Sequence, residues 1–283
     1  RHINPFLHLF KVKFEDIRIA ETIFERNSFL FTYDLKGAYH HIDIFAEHRT
    51  YLGFSLSENG VQKFYVFNSL PFGIKTAGHI FTKVLRVVVA FLRSKGHKNV
   101  MFLDDGIGGS NRYDFALHSS QYVKQTLIDF GFLLADNKCC WNPCKRVDWL
   151  GHCIDMHENK LFISNERIGR LEKSLESAMF QFGVSEMKLV PVKFLASVVG
   201  QKISLQSVIG DKVRLRTRDL FACINSRASW HAPVIVSQAA FDEIVYWKEN
   251  ARKLNSNGKC LKEPGFCSYN LYSDASSIGY GGT

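Results

Sequence analysis

The stretch Asn99-Val-Met-Phe-Leu-Asp104-Asp105-Gly-Ile-Gly-Gly109 limits the fold more than any other part of the chain. An apolar run, Val100 to Leu103, meets two adjacent aspartates and then a glycine. That pattern predicts a buried strand ending in a tight turn. Two carboxylates at such a tip repel one another unless a cation lies between them or water screens them. Taken alone, the stretch reads as an Asp-Gly hairpin turn at the surface. The rest of the chain shifts that reading.

The hydropathy pattern divides the chain in two. A helix is predicted near Phe14 to Arg26 and a strand from Phe29 to Leu35, with Asp34 near its end. Thr50–Leu56 and Val61–Asn68 flank Ser57-Glu-Asn-Gly60, and Asn59-Gly60 signals a hairpin. Pro71 and Gly73 make Ser69–Gly73 a loop. From Thr76 to Ser94 apolar residues recur at helical spacing, and Gly96 stops the helix. A second amphipathic helix is predicted over Arg112–Phe130. Phe132–Trp141 and Val147–Met156 read as extended, with a turn at Asn142-Pro143. The order suggests an α+β layer, a mainly antiparallel sheet backed by helices. After Phe162 the character turns helical, with runs from Ser164 to Phe182, Val192–Ser207 and Val236–Leu254. Lys188, Lys193, Lys202, Lys212, Arg214, Arg216 and Arg218 there suit a strand-binding face or a merely solvated one. The last piece, Asn270 to Gly282, reads as a strand that ends near Asp274 and runs into glycines.

Composition sets outer limits. The 283 residues suffice for one large domain or two to three ordinary ones. A net charge of +9 favours a polyanionic partner such as nucleic acid over an acidic small molecule. Seven cysteines at irregular spacing read as reduced thiols of an intracellular protein, with neither nucleus nor cytoplasm singled out. Cys139, Cys140, Cys144, His152 and Cys153 lack a C-x2-C pair, which argues against zinc. No apolar run reaches the roughly 18 residues of a membrane span, so no membrane partner is expected. The opening Arg1-His-Ile and the closing Gly281-Gly282-Thr283 read as the ends of a piece cut from a longer polypeptide.

Asp34 and Asp104 each sit at the end of a predicted strand. If those strands are neighbours, both acids converge on one sheet edge. Hard cations such as Mg2+ prefer oxygen ligands, and take one or two carboxylates plus substrate phosphates. Two such ions can activate one oxygen and stabilise another in an in-line displacement at phosphorus, without a side-chain nucleophile. A 3′-hydroxyl attacking a nucleoside triphosphate fits this arrangement.

Here a family resemblance enters. Phe31-Thr-Tyr-Asp34-Leu-Lys-Gly-Ala-Tyr39-His-His-Ile42 resembles the first palm motif of reverse transcriptases. Ser69-Leu-Pro71-Phe72-Gly73-Ile-Lys-Thr-Ala77, with Phe81 after it, resembles the second. Phe102-Leu-Asp104-Asp105 resembles the third, usually Tyr-x-Asp-Asp; Gly131–Lys138 resembles the fourth; and Trp149-Leu-Gly-His152 resembles the primer-grip hairpin. The fuller wording is similar to DIRS-type (tyrosine-recombinase) retrotransposons, with gypsy-type elements next. Tyr272-Ser-Asp274-Ala, followed by Gly279, Gly281 and Gly282, resembles the first strand of an RNase H domain.

The resemblance implies a right-hand polymerase. Residues 1–156 would be the palm with partial fingers, 157–265 a helical thumb or connection-like region, and 266–283 the start of a truncated RNase H-like domain. It implies Asp34 and Asp104 as metal holders supported by Asp105, with two Mg2+ ions, or Mn2+ in their place. Tyr39 would be the steric gate under the sugar. Phe72 and Gly73 would shape the nucleotide pocket. Lys138 would stand near the leaving pyrophosphate as a general acid. Trp149, Leu150 and Gly151 would grip the primer, and Asp274 would be one RNase H carboxylate. The partners implied are an RNA/DNA template–primer duplex and dNTPs. Each residue also has a plain reading: core aromatics for Tyr39 and Trp149, a Pro-Gly loop for Phe72 and Gly73, a surface lysine, an Asx turn for Asp274.

Two departures qualify the resemblance. Phe102 stands where the family has tyrosine, so a phenol hydroxyl is lost while the ring remains. The finger Lys and Arg that hold the triphosphate in related enzymes, and the later RNase H carboxylates, have no counterpart in the chain. The expectation is polymerase activity of the parent protein and no RNase H activity of this chain by itself. The alternative is a catalytically inactive nucleic-acid-binding remnant.

Overall fold

The computed structural model describes residues 3–184, 188–261, 273–275 and 280–282. Helix α1 (Ile17–Ile23) begins where the Asp16 carboxylate accepts the Arg18 N–H, and it ends at the extended Phe24. It is shorter than the predicted 14–26 because the side-chain cap sets its start. Strand β1 (Phe29–Asp34) follows, buried along nearly its whole length. The hairpin of β2 (Gly53–Glu58) and β3 (Val61–Val66) turns on Asn59 and Gly60, both at positive φ as a two-residue type I′ turn requires. Helix α2 (Ala77–Ser94) buries Ala77, Phe81, Leu85, Val88, Val89 and Leu92, which share one face at helical spacing.

Strand β4 (Asn99–Phe102) returns as β5 (Asp105–Ser110), and helix α3 (Tyr113–Asp129) follows. The glycine-rich Asp105–Ser110 segment is a full strand, which its β-propensity does not suggest. Its glycines make room for rings: a Cβ on Gly106 would lie 2.1 Å from Tyr33 Cζ, and one on Gly108 2.3 Å from Phe31 Cζ. Strand β6 (Cys140–Cys144) takes in Asn142-Pro143, where the sequence suggested a turn. Its pairing with β1 shifts register between Thr32↔Cys140 and Leu30↔Cys144, and a bulged edge strand tolerates proline.

The four strands form one antiparallel sheet in the order β4-β5-β1-β6. Alternation along β1 divides its side chains. Phe31, Tyr33 and Leu35 join α2 and α3 in one core cluster. Leu30, with Val100 and Ile107, joins a second cluster on the opposite face. Thr32 and Asp34 share the face of Leu30.

A second antiparallel sheet combines β7 (Arg146–Trp149), β8 (His152–Asp155) and β9 (Lys160–Ile163) with the later β12. It leads into a helical region: α4 (Asn165–Val184), β10 (Leu189–Pro191), α5 (Val192–Ile203), α6 (Gln206–Ile209), α7 (Lys212–Leu215), α8 (Arg218–Asn225), β11 (Pro233–Ile235) and α9 (Gln238–Asn257). Strand β12 (Lys259–Cys260) closes the second sheet beside β9. Strands β13 (Ser273–Ala275) and β14 (Tyr280–Gly282) pair antiparallel, with Asp274 opposite Gly281. The rest of the predicted 266–283 unit lies outside the described residues. The helix predicted over 192–207 is broken near Ser204 and Leu205 into α5 and α6.

Lys202 departs from the expected cationic face. It is fully buried, following Leu195, Val198 and Val199 at helical spacing on the core side of α5. Burial pulls its pKa down to about 7 against the opposing charge of Glu243. Among the described residues, no helix is long and apolar enough to cross a membrane.

Candidate active site

The β4–β5 hairpin turns on two residues, Leu103 and Asp104, because Phe102 pairs directly with Asp105. Leu103 holds φ +52°, the left-handed region that glycine usually takes in such a turn. The turn is tied to β1, since the Leu35 N–H donates to the Asp104 carbonyl at 3.0 Å. On the other side, Asp34 lies directly opposite Asp105 in the β1–β5 register. The three expected acids therefore meet at one sheet edge. Lys138 joins them, its Nζ 3.2 Å from Asp34 Oδ2.

The electrostatics reflect the crowding. Burial, then the charges of Asp104 and Asp34, push the Asp105 carboxyl up to about 6. Burial also raises Asp104, with the Asp34 charge acting in the same direction. A hydrogen bond to Asp34, and then its charge, raise Lys138. Crowded carboxylates of this kind hold a proton or a cation more tightly than isolated ones. Among the described residues, no three His, Cys, Asp or Glu side chains already stand in metal-binding geometry. The donor set still fits Mg2+, which takes one or two carboxylates and completes its shell with water and phosphate oxygens.

Two cavities meet at this edge. One, of about 470 Å³, is lined by Asp34, Asp104, Lys138, Phe72 and the backbone turn Lys36–Ala38. The other, of about 190 Å³, is lined by Asp34, Asp105, Lys138 and the Trp149–Gly151 turn. Asp34 and Lys138 line both; Asp104 belongs to the first and Asp105 to the second. A third cavity, of about 490 Å³ between β7–β9, α4 and α9, lacks these acids, so size alone does not mark the site.

Phe72 lines the first cavity, while Tyr39 and Gly73 stand behind it rather than on its wall. The Tyr39 ring lies 4.9 Å from Phe72 and 5.5 Å from Phe81. Burial, followed by the Asp104 charge, raises the Tyr39 phenol. Phe72 is largely exposed, and Gly73 adopts φ +88°. Asn4 fixes this loop from far away in sequence. Its Nδ2 donates to the Gly73 carbonyl at 2.8 Å, and its Oδ1 accepts the Lys75 N–H at 2.9 Å. Nothing local to Asn4 signals that partnership. It emerges only when the two segments meet in the fold.

The second cavity has a different wall. Trp149 is a core residue, only 4% exposed, with an indole N–H that lacks an acceptor. Leu150 and Gly151 form the two-residue turn between β7 and β8, at φ +49° and +71°. A Cβ on Gly151 would meet the Arg167 guanidinium at 3.1 Å. His152 anchors the turn to the helical region, with Nε2 2.6 Å from Ser207 Oγ and Nδ1 3.0 Å from the Leu150 carbonyl. Burial and then the Arg167 charge pull its imidazole down to about 4, so it is neutral at pH 7. Asp274 lies on β13, and its side chain lies outside the described residues.

Acidic strand ends on an antiparallel sheet, two backing helices, a preceding hairpin and a following helical region give a mixed helix-and-sheet fold similar to a polymerase palm and fingers. The chain belongs to the reverse transcriptase family: residues 4–154 match the family described as "Reverse transcriptase (RNA-dependent DNA polymerase)". No curated protein sequence matches it. The fold is shared with solved structures of foamy viral protease-reverse transcriptase. The dRH form in complex with double-stranded DNA has a TM-score of 0.68 at 14% identity, over 99% of this chain and 47% of that one. The complex with an RNA/DNA hybrid has a TM-score of 0.68 at 16% identity, over 91% and 31%. A further complex with double-stranded DNA has a TM-score of 0.67 at 16% identity, over 100% and 56%. The chain thus spans between 31% and 56% of the length of these structures.

Proposed function

We propose that the chain is the palm and helical thumb of an RNA-directed DNA polymerase from a retroelement, most like the DIRS type. It adds deoxynucleotides to a primer 3′-hydroxyl on an RNA or DNA template and releases pyrophosphate. The observation that carries this reading is the pair of cavities sharing Asp34 and Lys138. A nucleotide in the larger cavity and a primer end in the smaller one would face each other across one carboxylate.

In this reading Asp34, Asp104 and Asp105 hold two Mg2+ ions, or Mn2+ in their place. Bound there, the ions supply a lowered pKa for the attacking hydroxyl and charge stabilisation at the phosphoryl and leaving oxygens. Tyr39, packed tilted against Phe72 and edge-on to Phe81, sets the floor under the sugar and leaves little room for a 2′-hydroxyl. Phe72 and Gly73 shape the wall facing nucleotide and template. Lys138 neutralises phosphate charge and can deliver a proton toward the leaving pyrophosphate. Trp149, Leu150 and Gly151 position the primer end.

Residues 1–156 act as palm and partial fingers, 157–265 as thumb or connection, and 266–283 as the beginning of an RNase H-like unit with Asp274 as one carboxylate. The enzyme works inside the cell, where its RNA template is found. The test is primer extension on a primed RNA template with Mg2+ and dNTPs, beside a chelator control. Extension that stops with the chelator supports the reading. Duplex binding without metal-dependent synthesis would overturn it and leave a non-catalytic nucleic-acid-binding remnant.

A further inference from the structure

The 3-10 turn Ala38–His41 sends three consecutive side chains to different places. Tyr39 faces Phe72 and Phe81. His40 reaches the Pro-Phe-Gly loop, with Nδ1 3.4 Å from Ser69 Oγ and its ring edge-on to Phe72 at 5.4 Å. His41 goes the other way, to the loop that carries Lys138. That loop runs beside the end of β1. The Ala135 N–H donates to the Asp34 carbonyl at 2.9 Å, Leu134 bridges to Leu35, and the Lys36 N–H donates to the Leu133 carbonyl at 2.8 Å. The chain then turns away at Gly37, which adopts φ +85°. The Leu133 N–H donates instead to His41 Nε2 at 2.9 Å.

The partners fix the tautomer. Nε2 accepts from Leu133, so the ring proton sits on Nδ1, which donates to the Ala38 carbonyl at 2.9 Å. The ring also lies 5.2 Å from the buried Phe132 ring. One neutral imidazole therefore joins the Tyr39 turn to the first rung of the Lys138 loop.

Resting on the polymerase reading, we propose that His41 is a positioning residue for the nucleotide. It fixes the Lys138 wall of the pocket at a set distance from the Tyr39 floor, without touching substrate. A leucine at this position keeps the volume and loses both hydrogen bonds. A glutamine supplies one acceptor and one donor and can span the same two partners. Leu133 is largely exposed, so water can take its freed N–H and the fold persists in the leucine variant.

The test compares the wild-type chain with His41→Leu and His41→Gln in two measurements. Hydrogen exchange reads the clasp directly. The Leu133 amide is expected to exchange about tenfold faster in His41→Leu and to stay within about twofold of wild type in His41→Gln. Steady-state extension reads the consequence. KM for dNTP is expected to rise about tenfold in His41→Leu, with kcat and duplex affinity within about threefold, and glutamine restores KM. Unchanged Leu133 exchange in His41→Leu overturns the proposal. So does a loss of kcat with no change in KM, which marks a structural role alone. A wild-type chain that extends no primer even with the upstream finger segment restored overturns the polymerase reading and the nucleotide role with it. The exchange result still decides whether His41 holds the loop.

Discussion

Two tight turns flank the edge shared by Asp34 and Lys138, one on each cavity, and they are built differently. Leu103-Asp104 joins β4 to β5, and Leu150-Gly151 joins β7 to β8. Both place a leucine at positive φ, near +50°, where glycine would rest without strain. The first puts its chemistry in side chains: Asp104 occupies the second turn position and Asp105 the next. The second offers backbone, since Gly151 has no side chain and the Arg167 guanidinium lies 3.1 Å from where a Cβ would go. The difference teaches how one strained geometry serves two ends. One turn presents charge, and the other presents a close-approach surface backed by a cation.

The largest predicted effect breaks the first turn's chemistry while sparing its shape. Asp104→Asn should lower primer extension by about a thousandfold or more with an unchanged melting temperature. Next comes the strand behind that turn. Gly106→Ala drives a methyl into the Tyr33 ring and should cost about 3 kcal/mol of unfolding free energy, read by denaturant titration.

The two turns should also part under acid. His152 is held at about 4 against an ordinary 6.5, so the unfolded chain binds the proton more tightly. Its stabilising contribution is complete above about 6.5 and is lost as pH falls toward about 4. Between pH 7 and 5 this amounts to about 2 kcal/mol, and His152→Gln should flatten that slope in thermal melts. Asp105 runs in the opposite sense. Its raised carboxyl favours the folded, protonated form as pH falls below about 6.

Gly151→Ala combines a strained φ with a contact on Arg167. It should cost about 1–2 kcal/mol and weaken primer–template binding, measured by fluorescence anisotropy. The smallest effect sharpens the comparison. Leu103→Gly relieves strain but frees the unfolded chain, so the midpoint of a urea melt should correspond to a change within about 1 kcal/mol.

Legibility in the sequence followed the range of the interactions. Helix α2 and the Asn59-Gly60 hairpin were readable because periodicity and turn chemistry are local. The acids were readable because strand, Asp-Asp and glycine lie together. Strand β5 was not, since its glycines make sense only against Phe31 and Tyr33 on another strand. Helix α8 was not, because its first amides are capped by Glu243 of α9, which accepts from Asp219 and Leu220. Lys202 looked like surface charge because of its residue type, although Leu195, Val198 and Val199, at helical spacing before it, mark that face as apolar. Asn4 and His41 act through contacts across 69 and 92 residues, beyond any local pattern.

The central claim is that the Leu103–Asp104 turn brings Asp104 and Asp105 to Asp34 as one catalytic edge. Primer extension on RNA with Mg2+ tests it most directly, with the chain run beside an Asp104→Asn, Asp105→Asn version of equal duplex affinity. The account predicts extension by the first and none by the second. Equal extension by both, or no synthesis by the unmodified chain even with the upstream finger segment restored, would contradict it.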